Sequence, residues 1–387
     1  MTYVMRSKIE AKQLNQVLAI LFYGRSGSFF LQSLLDGHPN LIALPPYLPQ
    51  TYYEFWRAYG HLTASKLIDE FADYYATLFD ARNPCKSPIP GGPNTGENCG
   101  LVSMGPEQNE VLGVDRGKFM DSLKNIIGPE KTISRKFFYQ AIHVAYTEAL
   151  ERPGVDPHPI MMVQLHAPHP ERMREILEDF PETKFLQAIR QPLQTLGSIF
   201  ESYYKDDPKE SGLTMKGILL EADLSFVKPE CFRAVRLEDL HQASRETLQK
   251  ICRWLGIPWD DVLLKSTFDG KQWWNVKGGP RISGFSNKTM AKQHGSYITG
   301  FDRFRFNILL AEKYRIWNYS YAPWHLNIVT RIFVLPLLFI PFKMELLSME
   351  SMNSKDRIWQ TLRARKILIA AWLKLFQRQR LEPQLLG

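Results

Sequence analysis

The feature that most constrains this sequence is a strand, turn and helix packed into its first forty residues. Val17 to Tyr23 is a short apolar run with β-branched and aromatic members, the pattern of a strand buried on both faces. The turn Tyr23-Gly24-Arg25-Ser26-Gly27-Ser28-Phe29 follows, and Phe30, Leu31, Leu34 and Leu35 then recur at helical spacing until Gly37 and His38-Pro39 close the helix. Small residues between a buried strand and a helix gather backbone N–H groups and the positive helix end on one spot, which suits an anion. Arg25 and Ser28 add side-chain donors. The turn lacks the Lys that precedes the hydroxyl residue in a Walker A loop, which argues against an ATPase or a small-molecule kinase.

Downstream, strand and helix signals alternate. Pro159 to Leu165 and Lys184 to Ile189 read as buried strands leading to His166 and Arg190, and Phe232 to Arg236 reads as a fourth. Arg172 to Phe180 is amphipathic, Leu193 to Tyr204 follows Pro192 in a first turn, and Ala243 to Leu255 stops at Gly256 and Pro258, as helices do. Thr51 to Ala81, Lys118 to Ile127 and Ser134 to Leu150 are helical by pattern, whereas Asn83 to Gly105 is dense in Pro, Gly and Asn and predicts a long irregular loop. Alternation of this kind implies parallel pairing, so the fold class is α/β: three layers, a central parallel sheet flanked by helices, with a helical C-terminal extension.

The 387 residues, 44% hydrophobic and 12% aromatic, suffice for one large α/β core with an embellishment or for two smaller ones. Lys and Arg number 48 against 40 acidic residues, a formal net charge of +8 that favours anionic ligands. The basic residues are spread along the chain and no zinc-finger or RNA-recognition signature occurs, so the expected anion is a phosphorylated nucleotide and not nucleic acid. Cys85, Cys99, Cys231 and Cys252 lie too far apart for a CxxC motif and are too few for a disulfide scaffold, which points to a reducing compartment. Met1 to Gln13 has no hydrophobic signal core, so the expected location is cytoplasmic. Leu326 to Phe342 is apolar but broken by Arg331, Pro336 and Pro341, short of the about 20 apolar residues of a spanning helix. It reads as a helix packed on its own domain or on a twin subunit or, with the basic stretch Arg363 to Arg380, as a peripheral membrane contact.

Arg25-Ser26-Gly27-Ser28-Phe29-Phe30-Leu31-Gln32-Ser33-Leu34-Leu35-Asp36-Gly37-His38-Pro39 resembles the 5′-phosphosulfate loop of the sulfotransferase superfamily that uses 3′-phosphoadenosine 5′-phosphosulfate (PAPS), particularly its bacterial members. Phe185-Leu186-Gln187-Ala188-Ile189-Arg190-Gln191-Pro192 followed by Ser198 resembles the family's 3′-phosphate element. Arg190 at a strand's carboxyl end is a planar fork suited to a phosphate dianion, and Ser198 lies a little over two turns down the next helix. Phe232 to Leu240 with Trp254-Leu255-Gly256-Ile257-Pro258 is similar to the family's late strand and helix, although Leu237 stands where relatives often have an adenine-stacking Tyr. Ser266-Thr267-Phe268 fits the nucleoside segment, with Phe268 as an adenine neighbour, while Trp273 and Trp274 read as wall or core. Lys277-Gly278-Gly279-Pro280-Arg281 resembles the basic loop that returns to the 3′-phosphate.

The resemblance implies a P-loop-like fold and transfer of a sulfuryl group from PAPS to a hydroxyl or amine of a small-molecule acceptor, leaving adenosine 3′,5′-bisphosphate (PAP), with no metal. It assigns donor binding to Arg25, Ser26, Gly27, Ser28, Phe29, Phe30, Arg190, Ser198, Thr267, Phe268, Lys277, Gly278 and Gly279. His166 in Gln164-Leu165-His166-Ala167-Pro168 resembles the His that takes the acceptor's proton; His169 is its rival, and the two lack an Asp, Glu or Cys at ligand spacing for a metal. Arg25 replaces the usual Lys, keeping its charge and catalytic position but unable to lend a proton. Phe29 replaces a frequent hydroxyl residue and Gln164 a frequent Lys, so a non-catalytic PAP-binding homologue is the alternative, with a kinase on the same fold behind it. The implied division is a sulfotransferase domain over 1–303, with an irregular insertion near 83–117, and a mostly helical extension over 304–387 that dimerises or meets a membrane.

Overall fold

The structure, a computed structural model, describes residues 9–46, 51–84, 95–129, 132–166, 169–201, 218–220, 224–275, 281–286, 297–350, 352–377 and 383–386. Its strands are β1 (Val17–Phe22), β2 (Leu41–Ala43), β3 (Ile160–His166), β4 (Lys184–Ile189), β5 (Phe232–Arg236), the short pair β6 (Thr267–Phe268) and β7 (Lys271–Gln272), and β8 (Gln384–Leu385). β2, β3, β1, β4, β5 and β8 lie side by side in that order as one sheet in which every pairing is parallel, while β6 and β7 form a separate antiparallel hairpin.

The apolar runs dictate the layers. β1 is buried throughout, and its side chains alternate: Val17, Ala19 and Leu21 enter one core, Leu18, Ile20 and Phe22 the other. The first core is covered by α2 (Tyr52–Tyr59), α3 (Ala64–Tyr74), α5 (Arg116–Ile127), α6 (Arg135–Ala149) and α7 (Pro170–Asp179). The second is covered by α1 (Ser28–Leu35), the helices Leu237–Gln242 and Ser244–Leu255, and the β6–β7 hairpin. Local chemistry agrees with these boundaries: Asp115 caps α5 by accepting from Lys118 N, Ser134 caps α6 by accepting from Phe137 N, and Gly256 ends its helix at φ +82°.

Within the expected irregular insertion, the described part is pinned rather than loose. A single helical turn, α4 (Thr95–Asn98), is followed by a bridge between Met104 and Glu110. Trp273 Nε1 donates to Cys99 O at 2.9 Å and Trp274 Nε1 to Gly105 O at 2.7 Å, so both tryptophans serve as wall and anchor. The Asp36-Gly37-His38-Pro39 end of the first motif is structural too. Asn40 N donates to His38 Nδ1 at 3.1 Å, which makes Nε2 the protonated nitrogen that donates to Pro258 O at 2.9 Å.

The C-terminal part is helical, with Gly300–Leu309, Ala311–Ile316, Ile328–Leu337, Lys343–Met349 and Ser354–Lys374. It packs on α8 (Pro192–Ile199) through a core that includes Leu196, Ile199, Phe306, Tyr314 and Leu368. The apolar stretch Leu326 to Phe342 yields the helix Ile328–Leu337, capped by Asn327, with Pro336 in its last turn. No helix among the described residues is long and apolar enough to cross a membrane. The chain then returns to the sheet, where Leu386 N donates to Ala234 O at 3.1 Å.

Candidate functional site

Strand order reverses around β1. Its neighbours are β3 on one side and β4 on the other, so the segments leaving three adjacent carboxyl ends converge on one crevice. Phe22 is in register with His166 and with Ala188, which sets His166, the Gly24–Gly27 turn and Arg190 along one edge.

The turn is shaped by its backbone. Arg25 at φ +66° and Gly27 at φ +89° are both left-handed, a conformation that costs a non-glycine residue of order 1 kcal/mol. Gly27 is favoured by its φ, and a Cβ there would stand 2.5 Å from Leu237 Cδ1, so the Leu237 side chain would have to shift. Leu237 is thus the apolar stop under the turn. Gly27 is the N-cap of α1 and supplies no side chain to the first turn's N–H groups. Gln164 Nε2 donates to Ser28 O at 3.2 Å and ties the start of α1 to β3.

Arg25 Nε donates to Ser198 Oγ at 3.0 Å. The two basic elements expected at opposite ends of a donor therefore meet in one cluster, and the Arg25 charge is close enough to Arg190 to depress its pKa, behind the larger effect of burial; Glu238 acts in the opposite direction. Arg190 is only 7% exposed, and its Nε has no partner among the described residues. Ser26 Oγ is also buried without one. Both residues line a small, open pocket together with Tyr23, Gln187, Thr195 and Lys313. A larger pocket, of about 220 Å³, begins one residue past Arg190, at Gln191, and runs along Gln194, Arg303, Asn307 and Tyr321. The smaller one holds both orphaned donors, Ser26 Oγ in the turn and Arg190 Nε at the end of β4.

His166 is the last residue of β3 and meets Phe22 edge to face, with ring centroids 4.9 Å apart. Burial, with the Arg172 charge second, drives its pKa down to about 4, so the imidazole is neutral at pH 7. A Cβ on Gly24 would lie 3.7 Å from His166 Nε2, which sets the turn against that side of the ring. His169 is the N-cap of α7, more than half exposed, with Nδ1 3.9 Å from Glu171.

Other expected residues sit elsewhere. Thr267 donates to Asp36 Oδ2 at 3.1 Å, at the far end of α1 from the turn. Phe268 is buried against Phe29 and Trp273, with centroids 6.2 and 5.8 Å away; of the expected site residues, Ser26 and Arg190 line the pocket, and Arg25, His166, Ser198, Thr267 and Phe268 do not. Phe30 is buried and stacks on His241 at 4.5 Å. Lys277, Gly278 and Gly279 lie outside the described residues.

Three groups at this edge carried no sequence signal of their own. Glu238 accepts from Gln191 N at 3.0 Å and from Tyr319 OH at 2.8 Å, and its charge backs Arg190. His241 accepts from Ser286 N through Nδ1, and burial and then Arg190 push its pKa down to about 4. Lys313 comes from the C-terminal helices and is buried beside Trp317. Glu238 stands two residues after Arg236 in the Phe232 to Leu240 segment, but neither it nor Lys313 was marked by any local pattern. Among the described residues, no group of three or more His, Cys, Asp and Glu could hold a metal ion.

A model of the sulfotransferase family matches residues 18–261. The chain belongs to the sulfotransferase family. Arg25, His166, Arg190, Ser198 and Glu238 fall inside the matched stretch, whereas Thr267, Phe268 and Lys313 fall beyond it. Solved sulfotransferase structures are similar at low identity. The sulfotransferase domain from the curacin biosynthetic pathway is 16% identical over 70% of this chain and 84% of its own, with a TM-score of 0.37. The domain from the Synechococcus PCC 7002 olefin synthase is 18% identical over 72% and 84%, at 0.35, and a Mycobacterium avium sulfotransferase is 13% identical over 65% and 66%, at 0.35. No curated protein matches the chain.

Proposed function

We propose that this sulfotransferase moves a sulfuryl group from PAPS to a hydroxyl or amine of a small-molecule acceptor by in-line displacement, with His166 as general base. The observation that carries this reading is the pair of buried donors, Ser26 Oγ and Arg190 Nε, left without partners among the described residues in one cavity beside Arg25. An unsatisfied buried polar group costs about 1–3 kcal/mol, and a ligand rich in phosphate and sulfate oxygens satisfies several at once.

PAPS brings an activated sulfuryl group on a phosphate leaving group. The Gly24–Gly27 turn and the uncapped start of α1 offer N–H groups to the phosphosulfate, with Ser26 adding its hydroxyl. Arg25 offsets charge on the departing phosphate and keeps its own proton. Arg190, with Glu238 behind it, and Ser198 serve the 3′-phosphate. His166 takes the acceptor's proton. A pKa near 4 keeps it unprotonated but weakly basic, and an anionic donor alongside favours the imidazolium and raises that value toward neutrality. A cytoplasmic location and a catalytic unit over 1–303, to which Lys313, Tyr319 and β8 are added from the later residues, belong to the same proposal.

The low basicity of His166 is also what a non-catalytic PAP-binding homologue would show. Transfer of radiolabelled sulfate from PAPS separates the two readings. His166→Ala is expected to lower kcat at least about 100-fold while PAP affinity changes little. Equal turnover by wild type and variant removes His166 from the mechanism.

A further inference from the structure

The exposed apolar surface is confined to one part of the molecule. Every large hydrophobic side chain exposed among the described residues lies between Phe301 and Phe376, in the C-terminal helices. The helix Ile328–Leu337 turns Val334 to the core and leaves Ile328, Val329, Ile332, Phe333 and Pro336 on its outer face, with Phe333 74% exposed. The helix Ser354–Lys374 runs antiparallel beside it: Trp372 Nε1 donates to Arg331 O at 2.6 Å, while Arg365, further back along that helix, bonds Ile340 O at 3.2 Å. Its outer stripe reads Lys355, Trp359, Leu362, Lys366 and Leu373, a helical spacing in which Trp359 is 68% exposed. Phe339, Ile340 and Leu346 extend the surface between the two helices.

We propose that this face docks on an anionic lipid bilayer, lying in the interface without crossing it. Its charge selects that occupant. Residues 328–377 hold eight basic and three acidic side chains, and the polar members of the exposed stripe, Lys355 and Lys366, are cationic. Glu345 is buried on Arg365 and Arg331 is held by Glu312, which leaves the exposed acids Glu350 and Asp356, the latter in the cap of the long helix with Asn353, outnumbered by the remaining basic residues. A symmetric pairing of two copies through this face brings like charges together, whereas lipid phosphates complement them. Tryptophan and phenylalanine among lysines are what an interfacial helix presents to headgroups and acyl chains. The inference is independent of the donor and of His166.

Cosedimentation of the full chain with phosphatidylcholine vesicles, with and without phosphatidylglycerol, tests it, with light scattering to give the oligomeric state. A monomer that binds the anionic vesicles more tightly is expected. The double variant Ile332→Ser/Phe333→Ser, and separately Lys355→Glu/Lys366→Glu, should each weaken that binding at least about tenfold, with far-UV circular dichroism and PAP affinity unchanged. If the first variant does not fold, the lysine pair, confined to exposed side chains, decides alone. The proposal is overturned by absence of binding to either vesicle, by equal binding to both, by binding that survives the lysine pair, or by a stable dimer that the Ile332 and Phe333 changes dissociate.

Discussion

Gly27→Ala is expected to damage the protein through two separable effects. At φ +89° a Cβ costs about 1–2 kcal/mol. That Cβ also stands 2.5 Å from Leu237 Cδ1 and 3.2 Å from Cδ2, inside a buried contact, and overpacking of this kind costs about 1–3 kcal/mol. The sum is roughly 2–5 kcal/mol, with the helix start behind the phosphate loop displaced. Leu237→Ala alone leaves a hole and costs about 2–5 kcal/mol. In the double variant the methyl introduced at position 27 occupies part of that hole, so the overpacking vanishes and only the backbone cost of the turn remains beside a smaller cavity. Urea unfolding of the four proteins therefore yields a favourable coupling of at least about 1 kcal/mol between positions 27 and 237. PAP affinity should fall in Gly27→Ala and recover in part in the double variant. Additive destabilisation within about 0.5 kcal/mol would show that Leu237 does not support the loop.

Two further outcomes follow from buried charge. His143 is buried in α6, donates from Nδ1 to Tyr139 O at 2.8 Å, and is pushed down to about 4 by burial. Its contribution to stability is complete above about pH 6.5 and is lost as pH falls toward 4, because the unfolded chain then binds a proton the folded one refuses, a loss of up to roughly 3 kcal/mol. Urea midpoints across that range should decline in wild type and flatten in His143→Leu; parallel curves contradict the assignment. Asp302 and Arg305 form a wholly buried pair at 2.5 Å, so Asp302→Ala strands the guanidinium among carbonyls and should cost about 3–5 kcal/mol in thermal unfolding, with less than about 1 kcal/mol ruling the pair unimportant.

The parts of this fold that announce themselves in the sequence are those whose burial is set locally. β1, β3 and β4 are mostly apolar runs long enough to be strands, β5 keeps Phe232, Ala234 and Val235 buried alongside two arginines, and Gly24, Pro192 and Gly256 mark where neighbouring elements begin or end. β2 and β8 are two to three residues long and exist because a neighbouring strand offers an edge, which no local pattern encodes. The same division holds at the site. Arg25, Ser26, Gly27, His166 and Arg190 stand at strand ends and in the turn, where position alone suggests a role. The Arg25–Ser198 bond joins residues 173 apart, and Lys313 arrives from beyond the matched family stretch, so both depend on how α8 and the C-terminal helices pack. Thr267 and Phe268 matched by neighbouring sequence, yet the hairpin that carries them is turned into the α1 core.

Calorimetric titration tests most directly whether the orphaned donors at the end of β4 and in the β1 turn hold a 3′-phosphorylated nucleotide. PAP should bind wild type more tightly than ATP or AMP does, and Arg190→Ala should weaken PAP roughly 10–150-fold, the value of one charge-assisted contact, while AMP, which lacks the 3′-phosphate, changes by less than about threefold. Tighter binding of ATP, or an equal loss for PAP and AMP on removing Arg190, contradicts the account.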